Sequence, residues 1–404
     1  MSVVDSLTKR KTAKIQQAET LAVLTDEVSF ETTQRFVLDA MMPHAVVEKG
    51  DIEHLIALLG GMERQPRKIL VDISNSTMPL SDMTRLSEIC EPDVSVIAVG
   101  DRNDIGLFRD LLRMGVTDYL AKPLSADLLR RALVQGEAVP GPGQRTRTGK
   151  VATFVGARGG VGTSTIAANA AWYLAEKASR RVAVVDLDIH GGQIGLLLNA
   201  PAQHGLTEVL TNVSQFDSQY MERTLTQVGG RLFLLSAEVG LDEDFPLDPQ
   251  AVGSLLDTLR HHFHYVIVDL PARGGAVARA VLDRSDSVSV VADSSVCSAR
   301  ETSRLMSLVE SRDGDGRILL LLNAPWQPAK GEVRKSDFER AVGRRPSYVL
   351  PFDPALAAAE NLGEPAAGRR GAFSAALQSM VGDMMGRGRV SKHSSLGRLL
   401  RWRG

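Results

Sequence analysis

One ten-residue stretch, "GARGGVGTST" at residues 156–165, has the residue types of a phosphate-binding loop. A glycine-rich backbone can curl so that its peptide N–H groups point inward at an anion. The centre of the stretch is Gly159, Gly160, Val161 and Gly162. Ser164 stands where a hydroxyl binds Mg²⁺, and Thr165 can reach an α-phosphate. The lysine that normally precedes the hydroxyl and holds the terminal phosphates is replaced by Thr163.

Carboxylates follow two later apolar runs. "VAVVDLDIHGG" ends in Asp186 and Asp188, and "YVIVDLPA" ends in Asp269. In open parallel sheets, ligands bind at the carboxyl ends of the strands, so these acids are placed to meet a nucleotide and its metal. Asp269 can hold the Mg²⁺ shell through water. The alternatives are a strand-to-helix turn without a ligand for the loop, and a helix-capping role for either acid.

The elements that must position these residues alternate along the chain. Seven apolar runs after residue 150 are typical of buried strands: "KVATFVGA", "RVAVVDLD", "LFLLSA", "YVIVDLP", "SVSVVAD", "RILLLLNAP" and "SYVLP". Helical patterns lie between most of them, beginning with "STIAANAAWYLAEKASR". Continuous apolar runs fit strands that are covered on both faces. This region is predicted to be a doubly wound α/β domain.

The chain before residue 136 shows the same alternation. Its strand-like runs are "TLAVLTDE", "AVVEKG", "KILVDIS", "VSVIAVG" and "VTDYLAKP". We therefore predict an α/β protein with two doubly wound parallel sheets. The Pro- and Gly-rich "GEAVPGPGQRTRTGK" marks a linker. The predicted segments are a flexible N-terminus (1–20), a first domain (21–135), the linker (136–149), a second domain (150–385) and a basic tail (386–404).

The whole chain restricts the class of protein. It has 404 residues and a formal net charge of −1, so global charge offers no reason to expect a nucleic acid partner. Cys90 and Cys297 are far apart and do not make a disulfide framework or a zinc site. The N-terminus has no apolar signal region, and no run of about 18 apolar residues occurs. We expect a soluble cytoplasmic protein.

In order and spacing, the loop, "VVDLDIHGG", "YVIVDLPA", "LLLNAPWQP" and "LPFDPALAAAENLGEPAA" resemble the ParA/MinD group of deviant-Walker ATPases. The resemblance covers roughly residues 150–385. It implies bound ATP or ADP with Mg²⁺ and a homodimer. Arg158 takes the place of a signature lysine that acts across the dimer, and Thr163 that of the second lysine. Asp188 matches the water-positioning acid and Asp269 the Walker B acid. From its own place at the strand end, Asp186 is predicted to be a further metal-binding residue with Ser164 and Asp269.

The resemblance also implies a base pocket. Asn323 matches the family's adenine-contacting asparagine, and the backbone of Pro351, Phe352 and Asp353 closes the pocket. A small residue at Thr163, with a receiver-like domain in front, looks like the TadZ/CpaE branch of Flp (tight adherence) pilus assembly. That branch is associated with localisation at the cell pole. The implied partners are the pilus assembly or secretion ATPase and inner-membrane pilus proteins.

The first domain resembles a degenerate response-regulator receiver. "GVTDYLAKPLSADLLRRAL" carries the Lys-Pro pair at Lys122, and Asp72 ends the strand "KILVD" near a phosphoacceptor position. Asp26 and Glu27 could supply part of an acidic cluster. Gly100 replaces the hydroxyl residue expected after the fourth strand. The alternatives are a turn or cap acid for Asp72 and a surface position for Lys122, and we favour an interaction module over a phosphorelay input.

These features predict nucleotide binding with slow or absent hydrolysis. An active partitioning ATPase that moves DNA or protein cargo, and a phosphorelay output protein, are the competing hypotheses.

"RHHFHY" at residues 260–265 raises the question of a metal site, which the alternation of its histidines disfavours. In the tail, Leu396, Leu399 and Leu400 fall on one side of a helix with arginines opposite, which suits peripheral membrane contact; a disordered basic tail is the alternative.

Overall fold

The computed structural model of this protein describes residues 15, 17–62, 64–135, 148–201, 204–213, 216–272, 275–312, 316–327 and 331–386. Two separate sheets organise these residues, one with five strands and one with eight. The prediction of two doubly wound α/β units is confirmed. The linker and tail predictions fall almost entirely on residues outside the described ranges, so the boundaries proposed from the sequence stay predictions.

The first sheet is parallel throughout, with the strand order β2-β1-β3-β4-β5. Its strands are β1 (Thr20–Leu24), β2 (Ala45–Lys49), β3 (Lys68–Asp72), β4 (Ser95–Gly100) and β5 (Asp118–Ala121). Its helices are α1 (Glu27–Asp39), α2 (Ile52–Gly60), α3 (Pro79–Ile89), α4 (Ile105–Arg113) and α5 (Ala126–Leu129), the last continuing as a π-helical turn (Arg130–Gln135). All five apolar runs quoted above are strands.

Short polar side chains cap the N-termini of four of these five helices. Asp26, Asp51, Asp104 and Ser125 each accept a backbone N–H from the first turn of the helix that follows. Such caps satisfy donors that have no partner within the helix. They also fix where each strand-to-helix loop ends, and so hold the loops at the carboxyl edge of the sheet.

The second sheet has the strand order β13-β12-β11-β6-β10-β7-β9-β8 and is parallel except for the β8–β9 pair. Its strands are β6 (Lys150–Gly156), β7 (Val182–Asp186), β8 (Thr226–Gln227), β9 (Leu232–Leu235), β10 (Tyr265–Leu270), β11 (Ser287–Ala292), β12 (Arg317–Asn323) and β13 (Tyr348–Leu350). The seven predicted strands are present, and the sequence did not reveal β8, which is two residues long.

Helices cover both faces of this sheet. They are α6 (Thr163–Trp172), α7 (Ile194–Leu197), α8 (Gly205–Thr211), α9 (Ser218–Thr224), α10 (Pro249–His262), α11 (Ala276–Asp283), α12 (Val296–Glu310), α13 (Lys335–Val342), α14 (Pro354–Asn361) and α15 (Ala372–Met384). The central strand β6 shows why both faces need cover. Val151 and Val155 belong to the core on one face, and Ala152 and Phe154 to the core on the other.

The first domain packs against the amino-terminal edge of the second sheet. The guanidinium of Arg231 donates to the backbone oxygens of Leu59, Gly60 and Met62 at the end of α2. Arg181 pairs with the buried Glu91 at 3.1 Å. These bonds satisfy carbonyl groups at a helix terminus that would otherwise need water. The carboxyl edge of the second sheet, on the opposite side, stays uncovered by the first domain.

Candidate functional site

The glycine-rich loop joins β6 to α6 and turns sharply at two glycines. Gly160 and Gly162 have φ values of 79° and 87°, which residues with side chains rarely adopt. A side-chain carbon on Gly162 would lie 2.5 Å from the amide nitrogen of Asn323. Both positions therefore require glycine, and the loop is held in one curled shape against β12.

The first turn of α6 is open to an anion. No side chain caps its N-terminus, and no acidic residue lies in the first turn. Its leading N–H groups therefore point into the cavity with the positive end of the helix dipole behind them. Thr163 is the first residue of this helix. The threonine in place of a lysine leaves no positive side-chain charge at the point where the terminal phosphates would lie.

A cavity of about 1220 Å³ lies above this turn. It brings together most of the residues predicted from the sequence: Arg158, Gly159, Gly160, Gly162, Thr163, Ser164, Thr165, Asp188, Asp269, Asn323, Phe352 and Asp353. Within the described part of the chain, Val161, Asp186 and Pro351 do not line it. Val161 and Asp186 are buried beneath the surface at about 1% exposure each. Their predicted contacts with ligand stay predictions.

Ser164 and Asp269 form the polar centre of the site. The Ser164 hydroxyl donates to Oδ2 of Asp269 at 2.5 Å. Asp269 lies beside Asp186 because β10 and β7 pair in register at these two residues. Asp186 in turn accepts the N–H groups of Asp188 at 3.1 Å and Ile194 at 3.3 Å, so it ties down the loop that carries Asp188.

Among the residues that the structure describes, no lysine or arginine forms an ion pair with Asp186 or Asp269. Burial, and then the charge of Asp269, raises the pKa of Asp186 to about 7. Burial also raises the pKa of Asp269 to about 6, against the hydrogen bond from Ser164. A carboxylate and a hydroxyl that lie 2.5 Å apart, with a second acid behind them, are oxygen donors of the kind that Mg²⁺ prefers. The residues present therefore fit a divalent cation.

Asp188 stands at the rim of the cavity. Its side chain is exposed and accepts the N–H of Gly191 at 3.2 Å, within the loop that follows β7. An exposed carboxylate beside the phosphate end can accept a proton or orient water. The resemblance to deviant-Walker ATPases predicts that Asp188 positions water, and this role stays a prediction.

Arg158 is folded back onto its own chain. One guanidinium nitrogen donates to the carboxylate of Asp293, and the other donates to the oxygen of Gly159 at 2.9 Å. Asp293 follows β11 and is buried. The sequence did not indicate this partner, which is 135 residues away.

The base end of the cavity is built around Asn323. Its amide nitrogen donates to the oxygen of Val161 at 2.8 Å, so it braces the loop while lining the cavity. Phe352 and Asp353 line the same end, and Asp353 caps α14 by accepting the N–H of Ala355. Trp326, which sequence reasoning missed, also lines this end and is 69% exposed.

Glu360 is another lining residue that sequence reasoning missed. It lies on α14 and accepts a hydrogen bond from the hydroxyl of Thr165. A signal existed, because Asp353, Leu356 and Glu360 recur at helical spacing and therefore share one face. That spacing was not used to extend the predicted site beyond Asp353.

The first domain holds a separate acidic cluster. Nζ of Lys122 lies 2.6 Å from Asp26 and 2.7 Å from Asp72. The lysine side chain is only 13% exposed, so the alternative of a plain surface lysine is wrong. Burial opposes ionisation of Asp72, but the hydrogen bonds from Lys122, Ser74 and Thr25 prevail and lower its pKa.

The oxygens of Asp72 are already engaged. Oδ1 accepts the N–H and the hydroxyl of Ser74, and Oδ2 accepts the N–H and the hydroxyl of Thr25 as well as Lys122. Asp72 therefore has the turn role that was the alternative interpretation, because it accepts hydrogen bonds from Ser74. It also forms an ion pair with Lys122. Tyr119 fills the space beside Gly100, where its hydroxyl would lie 2.4 Å from an added side-chain carbon.

The histidines of residues 260–265 take structural roles. His264 accepts the N–H of Arg181 at Nδ1, and its Nε2 lies 3.0 Å from the oxygen of Ile89 in the first domain. His262 lies 3.6 Å from Asp93. The segment thus joins the two domains at the edge remote from the cavity.

Known proteins resemble the C-terminal part of the chain. A family model described as an AAA domain matches residues 149–313. The septum site-determining protein MinD of Helicobacter pylori is 25% identical over 225 residues, which are 53% of this chain and 82% of that protein. Together with the loop geometry, these matches show that the C-terminal part is a ParA/MinD-family P-loop ATPase domain.

Solved structures show the same fold. A ParA family ATPase from Chlorobium tepidum has a TM-score of 0.53 at 22% identity and covers 58% of this chain and 98% of its own. MinD from Pyrococcus horikoshii, complexed with Mg-ADP, has a TM-score of 0.50 at 18% identity and covers 58% and 95%. Pilus assembly protein CpaE from Caulobacter crescentus covers 28% of this chain at a TM-score of 0.26, which carries no argument about function.

Proposed function

We propose that this protein is a nucleotide-binding, dimerising factor that localises and assembles a Flp-type pilus secretion machine, with slow or absent ATP hydrolysis. The observation that carries the proposal is a complete backbone cradle for phosphate, with the Ser164–Asp269 pair in place and Thr163 where a lysine would stand. The cradle supports binding, and the missing charge argues against rapid turnover.

Nucleotide binding rests on groups that remain. The N–H groups at the start of α6 would hold the phosphates, and Ser164 and Asp269 would hold Mg²⁺ directly or through water. A Mg²⁺ ion held there would neutralise part of the negative charge of the phosphates. Asp186 pairs in register with Asp269, and its ionised form would add negative potential that favours the cation. Asn323 and Phe352 would contact the base.

The missing lysine affects turnover more than binding. A hydrogen bond to a charged group contributes about 1.5–3 kcal/mol net, which corresponds to roughly ten- to a hundredfold in affinity. The same lysine balances charge that develops on the phosphoryl oxygens in the transition state. Arg158 cannot replace it while its guanidinium is bound to Asp293.

A homodimer with facing nucleotide sites would cover the exposed apolar side chains at this edge. These side chains follow the carboxyl ends of β7, β9 and β12 or cap the end of α14: Leu196, Leu241, Trp326 and Leu362, which are 71%, 90%, 69% and 63% exposed. Apolar groups gathered on one side of a protein often mark an interface. The first domain packs on the opposite edge, so it leaves this side accessible.

The assignment to pilus assembly rests on the combination of two features. One is the small residue at Thr163, and the other is a receiver-like domain whose Asp72 is already fully hydrogen-bonded. Such a domain suits recognition of a partner, for which the pilus assembly or secretion ATPase and inner-membrane pilus proteins are the proposed candidates. No helix in the described ranges is long and apolar enough to cross a membrane.

The tail at residues 386–404, which lies outside the described ranges after Gly386, is proposed to contact anionic lipid through its leucines and arginines. A dimer would present two tails and bind more firmly than a monomer. Sedimentation with anionic liposomes, comparing the full chain with a chain truncated after Gly386, tests this contact. Equal recovery of both chains with the liposomes would remove the tail from the proposal.

The proposed function is tested with a pair of glycine variants. Gly162→Ala should abolish ATP–Mg²⁺ binding in calorimetry, because its side chain meets Asn323 and its φ is positive. Gly382→Ala, in α15 with open space around it, is the matched control and should bind normally. In cells that produce a Flp-type pilus with this protein, Gly162→Ala should lose polar localisation and pili. Normal pili with mispositioned DNA would instead favour a partitioning ATPase.

A further inference from the structure

We propose that Glu360 recognises the ribose hydroxyls of the bound nucleotide and so makes the site discriminate against nucleotides that lack the 2′ or the 3′ hydroxyl. This inference rests on the proposed nucleotide binding. It concerns a cavity-lining carboxylate that contacts Thr165, and not the Ser164–Asp269 pair that suits Mg²⁺.

The helix α14 carries Glu360 from the base end of the cavity to the loop end. Asp353, Leu356, Ala357 and Glu360 all line the cavity, since they lie on one face of the helix. Asp353 is next to Phe352 at the base end, and Glu360 reaches the loop at Thr165. The ribose of a nucleotide lies between its base and its α-phosphate, and therefore beside this face.

The position of Glu360 relative to the loop is fixed from both sides. Asn169, one turn after Thr165 on α6, donates from its amide to the oxygen of Thr165 at 2.9 Å. The amide oxygen of Asn169 accepts the N–H of Ala367 at 2.8 Å, in the segment that follows α14. Asn169 is buried, so this link between α6 and the chain after α14 is shielded from water.

The surroundings of Glu360 decide what it can bind. Its carboxylate is half-buried, accepts from the Thr165 hydroxyl and makes no ion pair within the described ranges. An uncompensated negative charge repels phosphate. The neutral donors that a nucleotide offers near its α-phosphate are the ribose 2′ and 3′ hydroxyls.

Binding would exchange one donor for another. When the Thr165 hydroxyl turns to the α-phosphate, Glu360 loses its hydrogen bond, and a ribose hydroxyl restores it. A deoxyribonucleotide offers one hydroxyl fewer and leaves the carboxylate with an unsatisfied acceptor. A site built to bond a substrate hydroxyl discriminates against the analogue that lacks it, because its own polar group is then unpaired.

Calorimetry of the full chain with ATP–Mg²⁺, 2′-deoxy-ATP and 3′-deoxy-ATP tests the proposal. We expect ATP to bind about tenfold more tightly than at least one deoxy analogue, the effect of losing one hydrogen bond. Glu360→Ala should bring that ratio near one, while binding of the weaker analogue is kept or improved because a like charge near the phosphates is removed. Glu364→Ala is the matched control: it removes an exposed acid paired with Arg369 outside the cavity lining, and it should keep the ratio.

The outcomes separate the two proposals. Equal binding of all three nucleotides by the wild-type chain, or an unchanged ratio in Glu360→Ala, overturns the ribose role alone. No binding of any nucleotide overturns the proposed function and this inference together. If Glu360→Ala does not fold, Glu360→Gln, which keeps the shape and loses the charge, is expected to lower the ratio at least threefold, and an unchanged ratio there contradicts the proposal.

Discussion

Arg158 donates a hydrogen bond to the carboxylate of Asp293 across 135 residues of its own chain. Asp293 is itself held in place, since Oδ1 accepts the Ser295 hydroxyl at 2.7 Å and its N–H donates to Ser298 at 3.0 Å. A signature residue expected to act on the partner's phosphates is thus restrained within one protomer. Dimerisation would require it to exchange Asp293 for a phosphate.

Arg158→Ala is expected to weaken ATP-dependent dimerisation at least tenfold, because the charge that crosses to the partner is removed. Because the variant leaves the buried Asp293 without its cation, some loss of stability is expected, and circular dichroism must first show that Arg158→Ala is folded. Light scattering with and without ATP–Mg²⁺ measures the effect. Arg300→Ala, at a 79% exposed position on α12, is the control. An unchanged dimer in Arg158→Ala would show that this residue does not act across the interface.

Thr163→Lys should restore the missing charge. We expect ATP–Mg²⁺ to bind roughly ten- to a hundredfold more tightly and hydrolysis to become measurable, because a lysine at this place contacts the terminal phosphates. Adding Asp188→Ala should abolish the gained hydrolysis and keep the gained affinity. Calorimetry and phosphate release measure the two effects. Brisk hydrolysis by the wild-type chain would contradict the role assigned to Thr163.

His264 should make folding sensitive to mildly acidic pH. Burial, and then the charge of Arg180, lowers its pKa from 6.5 to about 4. Because the folded pKa is the lower one, the unfolded chain binds a proton that the folded chain does not between these values. The stabilisation is complete above pH 6.5 and is lost as the pH falls to about 4, by about 3 kcal/mol in all.

The contacts of His264 give the physical reason. Nδ1 accepts the N–H of Arg181, so a proton added there would break that bond. Urea unfolding at pH 7.5, 5.5 and 4.5 is expected to show a smaller fall in stability for His264→Gln than for the wild type. His261→Gln, at an exposed neighbouring position, should follow the wild type. Parallel pH curves for all three proteins would exclude His264 as the cause.

Asp72 is predicted to resist phosphorylation. Its two oxygens already accept five hydrogen bonds, from Ser74, Thr25 and Lys122, and Gly100 offers no hydroxyl to a phosphoryl group. Incubation with acetyl phosphate and Mg²⁺, followed by intact mass measurement, should show no stoichiometric addition. A conventional phosphorylated receiver domain serves as the positive control. Full labelling that disappears in Asp72→Asn would make the domain a phosphorelay input.

Lys122→Met is expected to destabilise the first domain by about 3 kcal/mol, because it leaves Asp72 buried without its cation. The double variant Asp72→Asn with Lys122→Met should recover most of the loss, since no isolated charge remains. Urea unfolding of the full chain, followed by circular dichroism, compares the two. Lys68→Met, which removes a lysine bonded to the oxygen of Leu133, is a control for loss of a neutral-acceptor bond.

The strands could be predicted from the sequence because their signal is local. Each apolar run is long enough to mark a buried strand, whereas β8 has two residues and no run of its own. The parallel arrangement then brought Asp186 and Asp269 to one edge, since carboxyl ends of parallel strands point the same way. The loop could also be predicted from local sequence, because Gly160 and Gly162 have positive φ values, which glycine adopts most readily.

By itself, the sequence determined two α/β units, a phosphate loop without its lysine, and the acids that follow the strands. Only the tertiary structure decided that Arg158 contacts Asp293, that Glu360 contacts Thr165 across 195 residues, and that Arg231 caps α2 across 171 residues. These contacts depend on which strands become neighbours in the sheet and how the helices pack over it. That order results from the burial of all the apolar faces together, and no local pattern encodes it.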